Sequence, residues 1–383
     1  MSAETSILRV IKAKRPRAKF TKYSHSSSFI DATAQLGDGF HYVNLYDEQI
    51  DSNLIISNKN GLIMIHNTYL SSFAYNLFLC WIYGCERTGD KDKTLDTLLA
   101  HNFKKFFAEQ LYYAHNDIGS RSLLLETLLY EQVCMVPVFA AKAQDATLSS
   151  RADIAADLMS AVISFHELGH FFLGKSENSW ENILENNSEI VGSLFDRVRR
   201  TYSIGFVEEF QCDAMAVVSG FQEYAKRSSP EFILRVLVFA FAAFAVLFSL
   251  ARSAKATGEA RQLESKERMD FQSLKKIHRE HEIKLGIDRD FVERAKLVFE
   301  LCQSIAAQNK VSLYSADGSF PLSETILKDL SLYIDRVLEC DDSNARAMSN
   351  LVAEALDGHD EGMEYLYLRS KTFTTNREES LQI

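Results

Sequence analysis

The apolar positions change their period along the chain, and that change predicts the order of elements. Between residues 40 and 66 three short runs, "FHYVNLYD", "SNLIIS" and "GLIMIH", are rich in β-branched and aromatic residues. The last two flank "NKNG", Asn58 to Gly61, residues that suit a tight turn, so this stretch predicts a hairpin in a small antiparallel sheet. From Tyr69 to Tyr83 the pattern becomes aromatic and helical, a charged loop "ERTGDKDKT" follows, and helix-like segments continue past Tyr130. Ser150 and Asp153 have capping-box spacing ahead of "ADIAADLMSAVISFHELGHFFLG", which predicts a helix over 151–173 stopped by Gly174. Residues 175–200 read as an acidic, Asn-rich connection, Gly205 opens a second helix, "FVEEFQCDAMAVVSGFQEYAK", and Pro230 begins a third. That third segment holds sixteen residues, Val236 to Ala251, with Ser249 alone polar, short of the roughly 20 a membrane span needs. A buried core helix is the expectation there, with membrane insertion through 236–251 as the alternative.

Composition supports an α+β, mostly helical chain. Four prolines in 383 residues leave room for long helices, and 46% hydrophobic with 25% charged residues is ordinary for a globular protein. The pattern suggests a basic, disordered arm over 1–30, a main domain over 31–255 and a helical C-terminal subdomain over 256–383 that ends in a polar tail. Residues 1–22 carry about +6 and the remainder about −16 of a net −10, so no nucleic-acid partner is expected of the bulk. Six scattered cysteines form no zinc-type pairing, and the N-terminal residues hold no apolar run of signal length; both point to a reducing cytoplasm.

Chemistry is concentrated in "AVISFHELGHFFLG", where His166, Glu167 and His170 interrupt apolar positions. On a helix His166 and His170 stand one turn apart on one face, where both imidazoles reach one metal ion, with Glu167 beside them as the proton acceptor. Burying these groups among Phe165, Phe171 and Leu173 costs several kcal/mol (~2–7) unless a partner such as Zn2+ satisfies them. A catalytic zinc needs a third protein ligand. The third His of a metzincin is absent, since the position six residues beyond His170 is Ser176. Glu189 in "NNSEIVGSLFD" offers a thermolysin-like distance, but its fourth residue is Ser193. In "EEFQCDAMA", Glu209 and Asp213 share a helix face, so Glu209 can ligate while Asp213 orients an imidazole; Glu208 would need an acid where Cys212 stands. Glu209 is therefore preferred and Glu189 is the alternative.

"SFHELGHFFLG" followed by "EEFQCDAMA" resembles the gluzincin pattern HExxH with a later ExxxDxxA. The surrounding order, a hairpin, an aromatic helix, the two motif helices and an apolar helix, resembles the Lit-type bacteriophage-exclusion proteases over about residues 40–300. The resemblance implies a zincin-like catalytic domain with one zinc, and an endopeptidase directed at a cytosolic host protein such as elongation factor Tu, switched on by a peptide or protein trigger. Members carry His-Pro and then Arg after the apolar helix, where this chain has Arg294 in "IDRDFVERAK" without His-Pro. Candidates for stabilising an oxyanion are His278, His281, Tyr202 and Arg294, and none is singled out. The strand Leu62 to His66 either pairs with an extended peptide as an added strand or is a plain core strand. The alternatives for function are a membrane-associated zinc protease and a non-catalytic zinc-fold sensor.

Overall fold

The computed structural model describes residues 19–20, 40–46, 55–58, 61–87, 91–114, 120–173, 188–262, 289–313 and 323–339. Four strands, β1 (Lys19–Phe20), β2 (Phe40–Tyr46), β3 (Ile55–Asn58) and β4 (Gly61–Asn67), form one sheet in the order β1-β2-β4-β3. The hairpin is present, with Asn58 opposite Gly61. The sheet is mixed, not antiparallel throughout, because β4 runs parallel to β2 with Phe40 opposite Leu62 and Leu45 opposite Asn67. The hairpin sets its second strand, the more continuously apolar one, in the middle of the sheet, and Met64 and Ile65 are buried. Leu62 to Met64 is thus paired on both sides and Ile65 and His66 on the β2 side, so β4 is an inner strand of the sheet; among the described residues the edge strands are β1 and β3. Lys19 and Phe20, from the expected disordered arm, pair with Tyr46 and Leu45. The rest of that arm lies outside the described residues.

Helices make up most of what is described. In chain order they are α1 (Thr68–Arg87), α2 (Lys91–Glu109) with a π-helical turn at Gln110–Ala114, α3 (Arg121–Cys134), α4 (Val136–Gln144) and α5 (Ala146–Leu173). There follow α6 (Ser188–Thr201), α7 (Ile204–Tyr224), α8 (Pro230–Gln262), α9 (Arg289–Gln308), α10 (Ser323–Lys328) and α11 (Leu330–Glu339). Helix α5 starts earlier than the Ser150 signal suggests. Asp145 caps it, its carboxylate accepting from the amides of Thr147 and Leu148 at 2.9 and 3.4 Å, and Ser150 is inside the helix. Gly174 lies outside the described residues. The stretch read as a connection contains α6, whose Leu194, Phe195 and Val198 make one buried face. Ser203 caps α7 by accepting from the Phe206 amide, and α8 begins at Pro230 as its missing N–H allows. Helix α8 is long and apolar enough to cross a membrane by length and composition, and most of that stretch is buried in the protein.

The chain divides into two compact units that interleave in sequence. One comprises Met1–Ser71, Ile154–Ala245 and Asp288–Leu327; the other comprises Ser72–Asp153, Val246–Ile287 and Lys328–Ile383. This partition differs from the consecutive 31–255 and 256–383 suggested by the sequence pattern, because single long helices, α1, α5 and α8, each contribute to both units. In the first unit α7 runs antiparallel to α5. A Cβ on Gly169 of α5 would lie 3.0 Å from Cα and Sγ of Cys212, and one on Gly220 of α7 would lie 3.0 Å from Leu158, so partners rise along α7 as they fall along α5. Helix α9 packs on α6 and α7 through its stripe of Val292, Ala295, Val298, Leu301 and Ile305. In the second unit α2 packs on α3 and α11, with Phe103 edge-on to Tyr333. Two ion pairs join α2 to α3, the buried Lys104 to Glu126 at 2.9 Å and the partly buried Lys105 to Glu131.

Candidate metal centre

The close crossing of α5 and α7 brings the two halves of the motif together. His166 and His170, one turn apart on α5, turn their Nε2 atoms toward each other at 3.1 Å, with ring planes at 81°. From α7, Glu209 places Oε2 3.5 Å from His166 Nε2 and Oε1 3.4 Å from His170 Nε2. Donor atoms of His166, His170 and Glu209 all lie within 4.8 Å of one another. The group faces water, since the Glu209 and His170 side chains are 39% and 41% exposed.

Behind it the contacts are polar and buried. Asp213, one turn beyond Glu209, accepts from His166 Nδ1 at 2.8 Å, and its side chain is 3% exposed. That bond leaves Nε2 as the outward donor. Cys212 Sγ lies 3.5 Å from His170 Nδ1, so both imidazoles are held on the Nδ1 side by consecutive residues of α7. Gly169 makes this possible, as any larger residue would meet the Cys212 backbone. Arg294, from α9, donates Nε and Nη2 to Asp213 at 2.6 and 2.9 Å and places Nη1 2.8 Å from Glu209 Oε2.

Electrostatics separate the two imidazoles. Burial disfavours a charged His166, but the charge and hydrogen bond of Asp213, with Glu209, outweigh it and lift His166 to about 9. Burial, and then the charge of His166, hold His170 below its ordinary value. The hydrogen bond with His166 and the charge of Arg294 outweigh burial and lower Glu209; for Asp213, burial opposes and the charges of Arg294 and His166 lower it. Glu167, next to His166, is raised by burial, with His166 partly offsetting and Glu209 adding. Such a carboxyl is a better base than an exposed one. Burial pushes the Cys212 thiol up, so it stays protonated.

No family model, no curated protein and no solved structure matches the chain.

Two imidazole nitrogens and one carboxylate oxygen at this spacing, with a carboxylate behind one imidazole, form a donor set that suits zinc. The residues chosen from the sequence, His166, Glu167, His170, Glu209 and Asp213, are thus gathered in one place. Glu189 is on α6, with its side chain outside the described ones, and His278 and His281 are outside the described residues. Tyr202 stacks on Phe206 at 4.1 Å between ring centroids. Arg294 does enter the centre, but on the carboxylates. The sequence carried a sign of this: Arg294 falls on the same α9 stripe as Val298 and Leu301, where a charge needs a buried partner.

Proposed function

We propose that the chain is a zinc-dependent endopeptidase of gluzincin type, with His166, His170 and Glu209 as metal ligands and Glu167 as general base. The observation that carries this reading is the convergence of three donor atoms from two helices within 4.8 Å, with a partly buried carboxyl next to the first ligand. A zinc ion held by His166, His170 and Glu209 would polarise a substrate carbonyl and lower the pKa of water toward about 7. Glu167 takes one proton from the attacking water as its oxygen bonds to the carbonyl carbon, and passes that proton to the amine nitrogen as the C–N bond breaks. Asp213 fixes the tautomer of His166. A zinc with a purely structural task has no use for a base beside its ligands, which favours the protease over a non-catalytic sensor. We read the first compact unit as a zincin-like domain and the substrate as a cytoplasmic host protein cleaved upon a protein or peptide trigger, as the resemblance to phage-exclusion proteases implies. A membrane-associated form of the same protease has α8 in its favour, and sedimentation of the expressed chain with or without membranes distinguishes the two.

The test is zinc content together with mapping of new protein N-termini in cells expressing the chain. About one zinc per chain is expected, with loss in His166→Ala, His170→Ala and Glu209→Ala and retention in Glu189→Ala. Glu167→Gln is expected to keep zinc and to lose the new N-termini, along with any toxicity of the wild type, by at least about 10²-fold in rate. Zinc retained in both histidine variants, or cleavage that persists in zinc-loaded Glu167→Gln, rejects the reading.

A further inference from the structure

Arg294 has no task in the scheme above, yet it makes three polar contacts inside the centre. Its Nε and Nη2 donate to the two oxygens of Asp213 at 2.6 and 2.9 Å, and Nη1 is 2.8 Å from Glu209 Oε2. The Arg294 and Asp213 side chains are 11% and 3% exposed, so the contacts between these two are shielded from solvent screening. Asp213 in turn accepts from His166 Nδ1 at 2.8 Å. One guanidinium is therefore linked directly to Glu209 and through Asp213 to His166, two of the three donor groups.

We propose that Arg294 is a positioning residue for the metal centre: it holds Oε2 of Glu209 and both oxygens of Asp213, leaving Glu209 Oε1 and His166 Nε2 as the donors turned toward the ion. The inference rests on the zinc reading given under Proposed function. Glu209 is partly exposed on a long side chain and has rotamers to choose among, and a fixed ion pair on one oxygen removes that freedom. The alternative task, a donor to a developing oxyanion, fits the geometry less well. Each guanidinium nitrogen already faces a carboxylate oxygen, and moving the group onto substrate takes the arginine counter-charge from buried Asp213, leaving it the hydrogen bond from His166. The arrangement also demands arginine. Lysine keeps the charge but has one nitrogen in place of a planar fork, and cannot hold two carboxylates at three points.

The decisive comparison uses the full chain with Zn2+ affinity measured by competition against a chromophoric chelator, and the visible spectrum of the Co2+-loaded protein as a report on ligand geometry. Arg294→Lys is expected to weaken Zn2+ by about 10- to 100-fold and to change the Co2+ bands while far-ultraviolet circular dichroism keeps its helical signal. In combination with Asp213→Asn the loss should fall short of the product of the two single losses, because both act through one contact. A purely structural arginine would lower the melting temperature and leave the affinity and Co2+ bands of the folded protein unchanged, and that result overturns the proposal. Wild type that binds neither ion removes the zinc reading and this inference with it; wild type that binds both beside an Arg294→Lys that matches it removes this inference alone. If Arg294→Lys does not fold, the charge-free pair Asp213→Asn with Arg294→Met takes its place, read by the same affinity and the same spectrum.

Discussion

Replacing Gly169 by alanine is expected to destabilise the protein and loosen its metal centre, although alanine is the better helix former. In an open helix interior the exchange gains about 1 kcal/mol from backbone entropy and propensity. At Gly169 the new methyl would lie 3.0 Å from Cys212 Cα, 3.0 Å from its Sγ and 3.1 Å from its Cβ. The sulfur can rotate away, but the Cα moves only with α7, so the two helices must part by a few tenths of an ångström. Overpacking of this kind costs about 1–3 kcal/mol, which cancels the propensity gain and leaves a net loss of roughly 0–2 kcal/mol. The displacement carries Glu209 and Asp213 away from His166 and His170, so zinc affinity should fall about tenfold or more. Gly192 on α6 supplies the control, since a Cβ there meets nothing within 4 Å, and Gly192→Ala should gain about 0.5–1 kcal/mol with zinc binding unchanged. Urea unfolding at constant slope gives the stabilities, and chelator competition gives the affinities. A Gly169→Ala protein as stable as Gly192→Ala, with wild-type zinc affinity, refutes the argument from close approach.

Three further predictions concern charge. His166 is lifted from an ordinary 6.5 to about 9 while His170 is lowered, so zinc binding at pH 7 to 8 should displace about one proton, from His166, and affinity should rise up to tenfold per pH unit until about pH 9; calorimetry in buffers of different ionisation enthalpy counts that proton, and a count of zero rejects the raised value. In chelator-treated protein the same groups set stability: the His166 contribution is complete below 6.5 and is lost as pH rises through about 9, whereas those of Asp213, Glu209 and His170, all lowered, are complete above their ordinary values of 3.8, 4.5 and 6.5 and are lost as pH falls below them, so denaturant midpoints should fall on both sides of about pH 6.5. In the second unit, Lys104→Met should cost about 3–5 kcal/mol by removing a counter-charge of Glu126, whose side chain is 6% exposed beside a lysine 1% exposed; a urea-derived loss under about 1 kcal/mol would show that the pair contributes little.

Local signals were legible where one segment carries its own geometry. Two histidines four apart need only a helix to share a face, and Asn58 to Gly61 needs only a hairpin, so both could be read from spacing. The choice of Glu209 over Glu189 also followed from spacing, because Asp213 lies one turn beyond it on the same helix. What escaped depends on partners distant in sequence. The parallel pairing of β2 with β4 is a choice among sheet orders that alternation alone does not settle. The start of α5 was misplaced because Ser150 and Asp145 are both credible caps, and the tertiary structure selects the earlier one. Residues 188–201 were hidden by the polar character of the region, although Leu194, Phe195 and Val198 already had helical spacing. Arg294 showed itself as a charge on an apolar stripe, but neither its target nor its three-point grip is encoded near it.

The contact between Arg294 and Asp213 spans 81 residues of sequence, and this sets an order of events during synthesis. At about 5–20 residues per second, the helix bearing Arg294 leaves the ribosome roughly 4–16 s after the one bearing Asp213. For that interval a nascent chain can present His166, His170 and Glu209 without the guanidinium that restrains them. Buried Asp213 then lacks its main counter-charge, so the pair of motif helices is at its least stable when the ligands first become available. On the zinc reading, a ribosome-bound chain passes through a stage in which metal capture and helix docking compete in time, and completion of the centre is tied to the arrival of α9.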